Sequence, residues 1–195
     1  MPLPIDFLEA VTLAATRYPG PRIVPWPIPG NPGGFISFAN FDEWRDFVVK
    51  LSLRDGIPEI VRLKFERSQK VHILAWIDFD LIKAGELVAL TTLELALMDR
   101  YGPKARAKYG NTAFAHLLRY MPEHDGLTDD KVPMIHRSGG TVVEMLAGNT
   151  PQTLANIRND AAHGYPLDGL PWAGLLELVR DLIEYAYRDF RVPVP

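Results

Sequence analysis

The sequence predicts an all-α protein: a helical bundle over residues 56–195, preceded by a less regular N-terminal extension over residues 1–55. Apolar residues recur three and four positions apart along most of the bundle, which is typical of helices that bury one face. Capping residues, glycines and prolines divide this stretch into pieces of helix length. No window alternates apolar and polar residues over the length of a strand.

The composition is that of a globular chain that can bury a core without cross-links. The chain has 195 residues, 47% of them hydrophobic, and a formal net charge of −3. It has no cysteine, which excludes disulfides, thiolate nucleophiles and cysteine-bound zinc. The net charge argues against a protein that attracts nucleic acid over its whole surface, but not against a local basic cleft.

The N-terminus and the most apolar stretch predict a cytoplasmic protein with no membrane partner. Residues 1–9 lack the basic start of a signal peptide, and Asp6 and Glu9 interrupt the apolar run. The most apolar stretch, residues 87–97, is too short to cross a bilayer and contains Glu94.

Residues 1–40 predict one short helix followed by irregular chain. An amphipathic helix is expected over residues 5–17, and residues 25–34 are dense in Pro and Gly. Neither neighbouring segment predicts a strand, because residues 22–28 are too rich in proline and residues 35–38 are too few. No glycine of this region is followed by Lys-Ser or Lys-Thr, so a phosphate-binding loop is not expected.

Local start and stop signals predict the borders of seven further helices. The expected ranges are about 43–53, 58–76, 81–101, 112–121, 141–147, 151–163 and 172–190. The expected caps include Asp42, Asp78 or Asp80, and Thr150, since short polar side chains accept hydrogen bonds from free N–H groups at a helix start. The Gly102-Pro103 pair is expected to end the third of these helices.

The most chemically specific segment is residues 158–165, which read Arg-Asn-Asp-Ala-Ala-His-Gly-Tyr near a predicted helix end. Asn159 and His163 are four positions apart and therefore share one helix face. Arg158 and His163 are five positions apart, about 140° around an ideal helix. Arg158 reaches the same site through its long side chain, or if the helix loosens before Gly164.

These three side chains suit RNA cleavage without a metal. A neutral histidine takes a proton from a hydroxyl near pH 7, and an arginine holds a phosphate by two parallel hydrogen bonds. An asparagine orients the imidazole or holds a substrate hydroxyl. The alternative is structural, because an arginine and a histidine near a helix C-terminus also stabilise its free carbonyl groups and its dipole.

The segment resembles the R-x4-H-x-Y motif of the HEPN superfamily, in its R-N-x3-H form. Upstream, residues 93–97 (Leu-Glu-Leu-Ala-Leu) with Tyr101-Gly102 resemble the first long helix of such domains. Residues 126–129 (Gly-Leu-Thr-Asp) resemble the connection that precedes the motif helix. The resemblance covers roughly residues 57–190, and the short motif is its specific part.

The resemblance implies a HEPN-like helical bundle that pairs as a homodimer, with two motif copies in one cleft. Many members of the family are metal-independent endoribonucleases of toxin–antitoxin, phage-defence or RNA-processing systems. By position, Arg158, Asn159 and His163 would form the active site, with no cofactor or metal. Tyr165 matches a tyrosine that a partner nucleotidyltransferase, the antitoxin, adenylylates in one toxin branch. The first fifty or so residues have no counterpart, and Pro166 directly follows Tyr165.

A basic stretch lies upstream of the motif. From position 100 to position 120 the ionised residues are all basic: Arg100, Lys104, Arg106, Lys108 and Arg119. They are candidate contacts to an RNA backbone, and the alternative is a solvated helix face.

The remaining candidate residues favour structural roles. The other histidines form no pattern of zinc ligands, and His72 and His116 are expected to be partly buried. Glu94 lies in an apolar stripe, where it either pairs with a buried arginine, which we favour, or supports the cleft. Asp78 and Asp80 are better explained as helix caps than as metal ligands.

Two functions from different classes follow. The first is a HEPN-type, metal-independent endoribonuclease that is active as a homodimer, with RNA as its substrate. The second is a helical dimerisation or sensing module without catalytic activity, in which the motif is a structural lock.

Overall fold

Nine α-helices and a two-stranded sheet make up the part of the chain that the computed structural model describes, residues 3–163 and 171–190. The helices are α1 Ile5–Ala15, α2 Phe41–Val49, α3 Glu59–Leu74, α4 Leu81–Tyr109, α5 Phe114–His124, α6 Pro133–Ser138, α7 Val143–Ala147, α8 Leu154–His163 and α9 Leu175–Ala186. Strands β1 Arg22–Pro25 and β2 Phe35–Phe38 pair antiparallel, and a 3₁₀ turn covers Asp129–Lys131. The predicted all-α class is confirmed at the level of a mostly helical fold. Within the described ranges, no helix is both long enough and apolar enough to span a bilayer.

Helix α4 is the centre of the bundle. It is 29 residues long and packs against α3, α5, α8 and α9. Its middle turns are enclosed by these neighbours, because Leu90, Leu93 and Leu97 are fully buried. Each such leucine stabilises the fold by about 1.5–3 kcal/mol relative to an exposed one. The position of α4 therefore determines where the other helices, including the motif helix α8, can lie.

The sheet corrects the prediction that the chain has no strand. Arg22 pairs with Phe38, and Pro25 pairs with Phe35. Each four-residue strand has a single buried residue, which is Val24 in β1 and Phe38 in β2. An alternating pattern cannot show in so short a stretch. Proline is tolerated here because both strands of a two-stranded sheet are edge strands.

The N-terminal extension shares the core of the bundle. Trp26 and Phe38 belong to the same buried cluster as the apolar residues of α4 and α9. Nε1 of Trp26 donates to Oε2 of Glu177 in α9 over 2.8 Å, and Arg137 of α6 donates to both oxygens of that carboxylate over 2.8 and 3.0 Å. The border between residues 55 and 56 stays a prediction, and core contacts cross it.

Two helices continue through prolines where the sequence predicted an end. Helix α4 was expected to stop at Gly102-Pro103 but runs to Tyr109, and α5 includes Pro122. A proline in a helix interior removes a hydrogen bond and costs about 3 kcal/mol. In α4, the buried side chains of Tyr101 and Ala105 flank the proline. Their packing against neighbouring helices outweighs the local signal.

Two helix caps lie a few residues from their predicted positions. At the start of α2, the side chain of Asn40, not of Asp42, accepts a hydrogen bond from the backbone N–H three residues on, over 3.1 Å. Thr153, not Thr150, makes the same contact before α8, also over 3.1 Å. Asn, Asp and Thr are all good capping residues, so the sequence does not separate neighbouring candidates. Asp80 occupies the cap position of α4 without a side-chain hydrogen bond to the helix start.

Candidate functional site

Helix α8 carries the motif at its C-terminal end and presents it to solvent. Leu154 and Ala155 are buried and hold the first turn of the helix, which packs against α4 and α5. Every residue from Asn159 to His163 is exposed. The motif therefore lies on the part of α8 that leaves the core.

Arg158 is held on both sides by hydrogen bonds. Its Nε donates to Oε2 of Glu94 over 3.1 Å, and its Nη2 donates to the same oxygen. Its Nη1 donates to Oδ1 of Asn159 over 2.8 Å. The guanidinium carbon stands 5.9 Å from the centre of the Phe114 ring at the start of α5. These contacts fix the plane of the guanidinium relative to α4 and α5.

The guanidinium of Arg158 has N–H donors that a ligand can use. The side chains of Arg158 and Glu94 are each 25% exposed, so the ion pair lies at the edge of the core. A guanidinium has five N–H groups, and Glu94 and Asn159 accept hydrogen bonds from three of them. Among residues 3–163 and 171–190, no group accepts from the second N–H of Nη1 or of Nη2, and these two donors can bind phosphate oxygens.

Asn159 and His163 stand one helical turn apart on the open side of α8. Because Oδ1 of Asn159 accepts from Arg158, the amide NH₂ of Asn159 is the part that can bind a further group. Within residues 3–163 and 171–190, no hydrogen bond or ion pair engages the imidazole of His163. The imidazole is exposed, so a bound molecule can contact it.

The remainder of the motif lies outside the described residues. Gly164 and Tyr165 belong to residues 164–170, which the structure does not describe. The predicted role of Tyr165 as a modification or supporting site stays a prediction.

Two of the five predicted RNA contacts are engaged within the fold. Nε of Arg100 donates to the carbonyl oxygen of Ala186 over 2.8 Å, and its guanidinium stands 5.4 Å from the centre of the Tyr187 ring. Nε of Arg119 donates to the carbonyl oxygen of Ala147 over 3.1 Å. Both side chains thus connect helices to their neighbours.

The other three predicted RNA contacts are exposed on the last turns of α4: Lys104, Arg106 and Lys108. Lys104 is ten residues beyond Glu94, which corresponds to about 15 Å along a helix axis. These side chains lie away from the ion pair that holds Arg158, at a distance that an extended substrate could bridge. Their role in RNA binding stays a prediction.

The histidines outside the motif differ strongly in burial. His72 in α3 is fully buried, and burial lowers its pKa to about 4. This confirms the predicted structural position of His72. His116 is half-buried, with Nδ1 at 2.7 Å from Oδ1 of Asn111. In the described ranges, no three His, Asp or Glu side chains are grouped so that they could hold a metal ion.

The sequence indicates that Glu94 pairs with an arginine but does not indicate which arginine. Its place among apolar residues of α4 indicates pairing with an arginine, and the structure confirms an arginine partner. That partner is Arg158 of the motif, at a separation of 64 positions. Glu94 therefore both pairs with an arginine and supports the candidate site, so the two alternative roles coincide in one residue.

Comparisons of the chain with protein-family models, with curated proteins and with solved structures gave no match. The resemblance to the HEPN superfamily accordingly rests on the motif and on the residues around it.

Proposed function

We propose that the chain is a metal-independent endoribonuclease of the HEPN type, with an active site formed where two copies meet. The observation that supports this most is the arrangement of Arg158. Its guanidinium is oriented by Glu94 and Asn159, keeps two N–H groups that no described residue engages, and lies next to an exposed stretch that ends in His163.

In the proposed reaction, the 2′-oxygen of a ribose attacks the adjacent phosphorus while the bond from phosphorus to the 5′-oxygen breaks. One imidazole takes the proton from the 2′-hydroxyl, and a second gives a proton to the leaving 5′-oxygen. Two copies of His163 supply both imidazoles. Arg158 stabilises the charge that builds on the phosphate oxygens. The products are a 2′,3′-cyclic phosphate and a 5′-hydroxyl.

The biological setting rests on the resemblance alone. A toxin–antitoxin or phage-defence role, with a nucleotidyltransferase antitoxin that acts on Tyr165, is part of the same proposal. A neighbouring gene for such an enzyme would support it.

The test is cleavage of single-stranded RNA by the purified protein in the presence of EDTA. We expect His163→Ala to reduce the rate by at least about 100-fold, because a positioned acid or base contributes about 10²–10⁴-fold. Arg158→Lys should also reduce it, since lysine lacks the planar pair of donors. The matched control is His124→Ala, which removes a histidine of α5 outside the motif. Equal residual activity of wild type and His163→Ala would exclude the proposal.

The second candidate is a helical dimerisation or sensing module without activity. The observation that favours it is the ion pair between Arg158 and Glu94, which joins α8 to α4 and would lock the fold in either case. Here Arg158→Ala should lower the melting temperature while no preparation cleaves RNA. Sedimentation of the wild type gives the oligomeric state on which both candidates depend.

A further inference from the structure

A cleft lies on the surface of α9, away from the motif residues of α8. It has a volume of about 520 Å³. Three separate chain segments form its walls: the loop after α2 at residues 52–54, the chain around the 3₁₀ turn at residues 131–133, and the C-terminal part of α9 with the residues that follow it. None of Arg158, Asn159 and His163 lines this cleft.

The walls of the cleft carry an excess of positive charge. Four basic side chains and two carboxylates line it: Arg54, Lys131, Arg180, Arg188, Asp181 and Glu184. Among these lining residues the difference is +2 (four positive minus two negative). Two carboxylates behind the walls also pair with two of the arginines, Asp125 with Arg188 over 2.6 Å and Glu177 with Arg180 over 3.5 Å. Lys131 is the lining cation that pairs with no carboxylate among the described residues, and it can attract an anionic ligand.

The two carboxylates orient arginines of the cleft. Nε of Arg54 donates to Oε2 of Glu184 over 2.7 Å, and the backbone N–H of Arg54 donates to Oε1 over 2.6 Å. Nε of Arg180 donates to Oδ1 of Asp181 over 2.9 Å. The other oxygen of Asp181 accepts from the backbone N–H of Met134 over 2.8 Å. Both oxygens of each carboxylate are therefore bound to the protein itself.

The basic side chains keep donors for a ligand. In residues 3–163 and 171–190, no hydrogen bond uses Nη1 of Arg54 or Nη1 of Arg180. Nζ of Lys131 gives one hydrogen bond, to the carbonyl oxygen of Gly126 over 2.6 Å. An Nη group has two N–H donors and an ammonium has three, so two remain on each of these three groups.

We propose that this cleft binds the phosphate or diphosphate group of a small molecule. Guanidinium groups held by carboxylates present oriented N–H donors to phosphate oxygens, and a lysine adds a mobile positive charge. The volume lies within the range of about 300–1,000 Å³ that is usual for small-molecule sites. Because the cleft shares no motif residue, this site is independent of the proposed ribonuclease activity.

The test is isothermal titration calorimetry of the full chain with inorganic pyrophosphate and, separately, with ADP, without divalent metal and at constant ionic strength. We expect saturable binding of one ligand per chain. ADP binding more tightly than pyrophosphate assigns the site to a phosphate carried on a larger molecule, and equal affinities assign it to the free anion. Absence of saturable binding of both ligands at millimolar concentration overturns the proposal.

The informative variant is Lys131→Glu. Lys131 is exposed, and its one hydrogen bond within the described part of the chain is to a carbonyl, so the fold should persist, which the melting temperature checks. We expect at least tenfold weaker binding, because a charge-assisted contact is replaced by repulsion. The matched control is Arg67→Glu, which makes the same charge change at an exposed position of α3. Equal effects of the two variants, or displacement of pyrophosphate by a much more tightly bound single-stranded RNA, would overturn a small-molecule site.

Discussion

Glu94 of α4 accepts two hydrogen bonds on one carboxylate oxygen, from Nε and Nη2 of Arg158 in α8. This ion pair connects the central helix of the bundle to the helix that carries the motif. It also explains why an acidic residue is placed within an apolar stripe. The orientation of the candidate catalytic arginine thus depends on a residue far upstream in the sequence.

The first prediction concerns this ion pair. Glu94→Ala should lower the free energy of unfolding by about 1 kcal/mol, because the pair is only partly buried. Glu94→Gln should lower it less, since the amide oxygen still accepts a hydrogen bond. If the chain cleaves RNA, the rate should fall more for Glu94→Ala than for Glu94→Gln. Urea unfolding and the cleavage assay measure the two effects.

The control for this prediction is Asp46→Ala. Asp46 pairs with Arg45 on an exposed face of α2, over 2.9 Å. Its removal should leave both stability and cleavage nearly unchanged. A cleavage rate that Glu94→Ala does not alter, in a protein that requires Arg158, would show that the arginine is not positioned by Glu94.

Helices with a continuous apolar stripe were predictable from the sequence. In α9 the apolar residues that recur three and four positions apart are all buried: Leu175, Leu176, Val179, Leu182, Ile183 and Ala186. The stripe repeats at the helical period over the whole element, so no information from elsewhere in the chain is needed. The end of α4 was not predictable in this way, because its continuation through Pro103 depends on what packs against Tyr101 and Ala105.

The candidate site was predictable only where its residues are neighbours in sequence. Arg158, Asn159 and His163 lie within six positions of one another, so their spacing could be read directly. The partner of Arg158 lies 64 positions away. The cleft on α9 draws its charges from three distant segments, none of which contains a recognisable motif. Long-range contacts of this kind require the fold.

The second prediction concerns the close packing of α3 on α4. A Cβ atom at Gly85 would lie 2.5 Å from Nδ1 of His72, whose ring is fully buried and cannot move aside. Gly85→Ala should therefore destabilise the protein by about 2 kcal/mol, although alanine is the better helix former. Thermal and urea unfolding measure the change.

Gly102→Ala in the same helix is the matched control. The added Cβ would meet the side chain of Met98, with the sulfur at 3.0 Å, and Met98 is exposed. We expect a smaller loss than for Gly85→Ala, because the better helix propensity of alanine offsets the contact of its Cβ with the ring of Pro103. If both variants lost similar stability, the contact with His72 would not be the cause of the loss in Gly85→Ala.

The third prediction concerns the hydrogen bond that joins the N-terminal extension to α9. Trp26→Phe removes the indole N–H that donates to Glu177, and a bond to a charged group contributes about 1.5–3 kcal/mol. Trp44→Phe is the matched change, because Nε1 of the equally buried Trp44 donates to the neutral carbonyl of His72 over the same 2.8 Å. Urea unfolding should show the larger loss for Trp26→Phe. Equal losses would mean that lost volume, not the bond to the carboxylate, determines the effect.

The fourth prediction concerns stability in mild acid. Burial lowers the pKa of His72 to about 4 from 6.5, although the hydrogen bond to the carbonyl oxygen of Ser68 acts in the opposite direction. Between these two values the unfolded chain binds a proton that the folded chain does not, so stability falls as the pH falls. A shift of this size corresponds to a loss of about 3 kcal/mol between pH 6.5 and pH 4. His72→Gln should be less stable at pH 7 but should lose less on acidification, and this difference in loss from the wild type should grow as the pH falls. Urea unfolding at pH 7, 5.5 and 4.5 measures these slopes, and an equally steep loss in His72→Gln would assign the acid sensitivity to other groups.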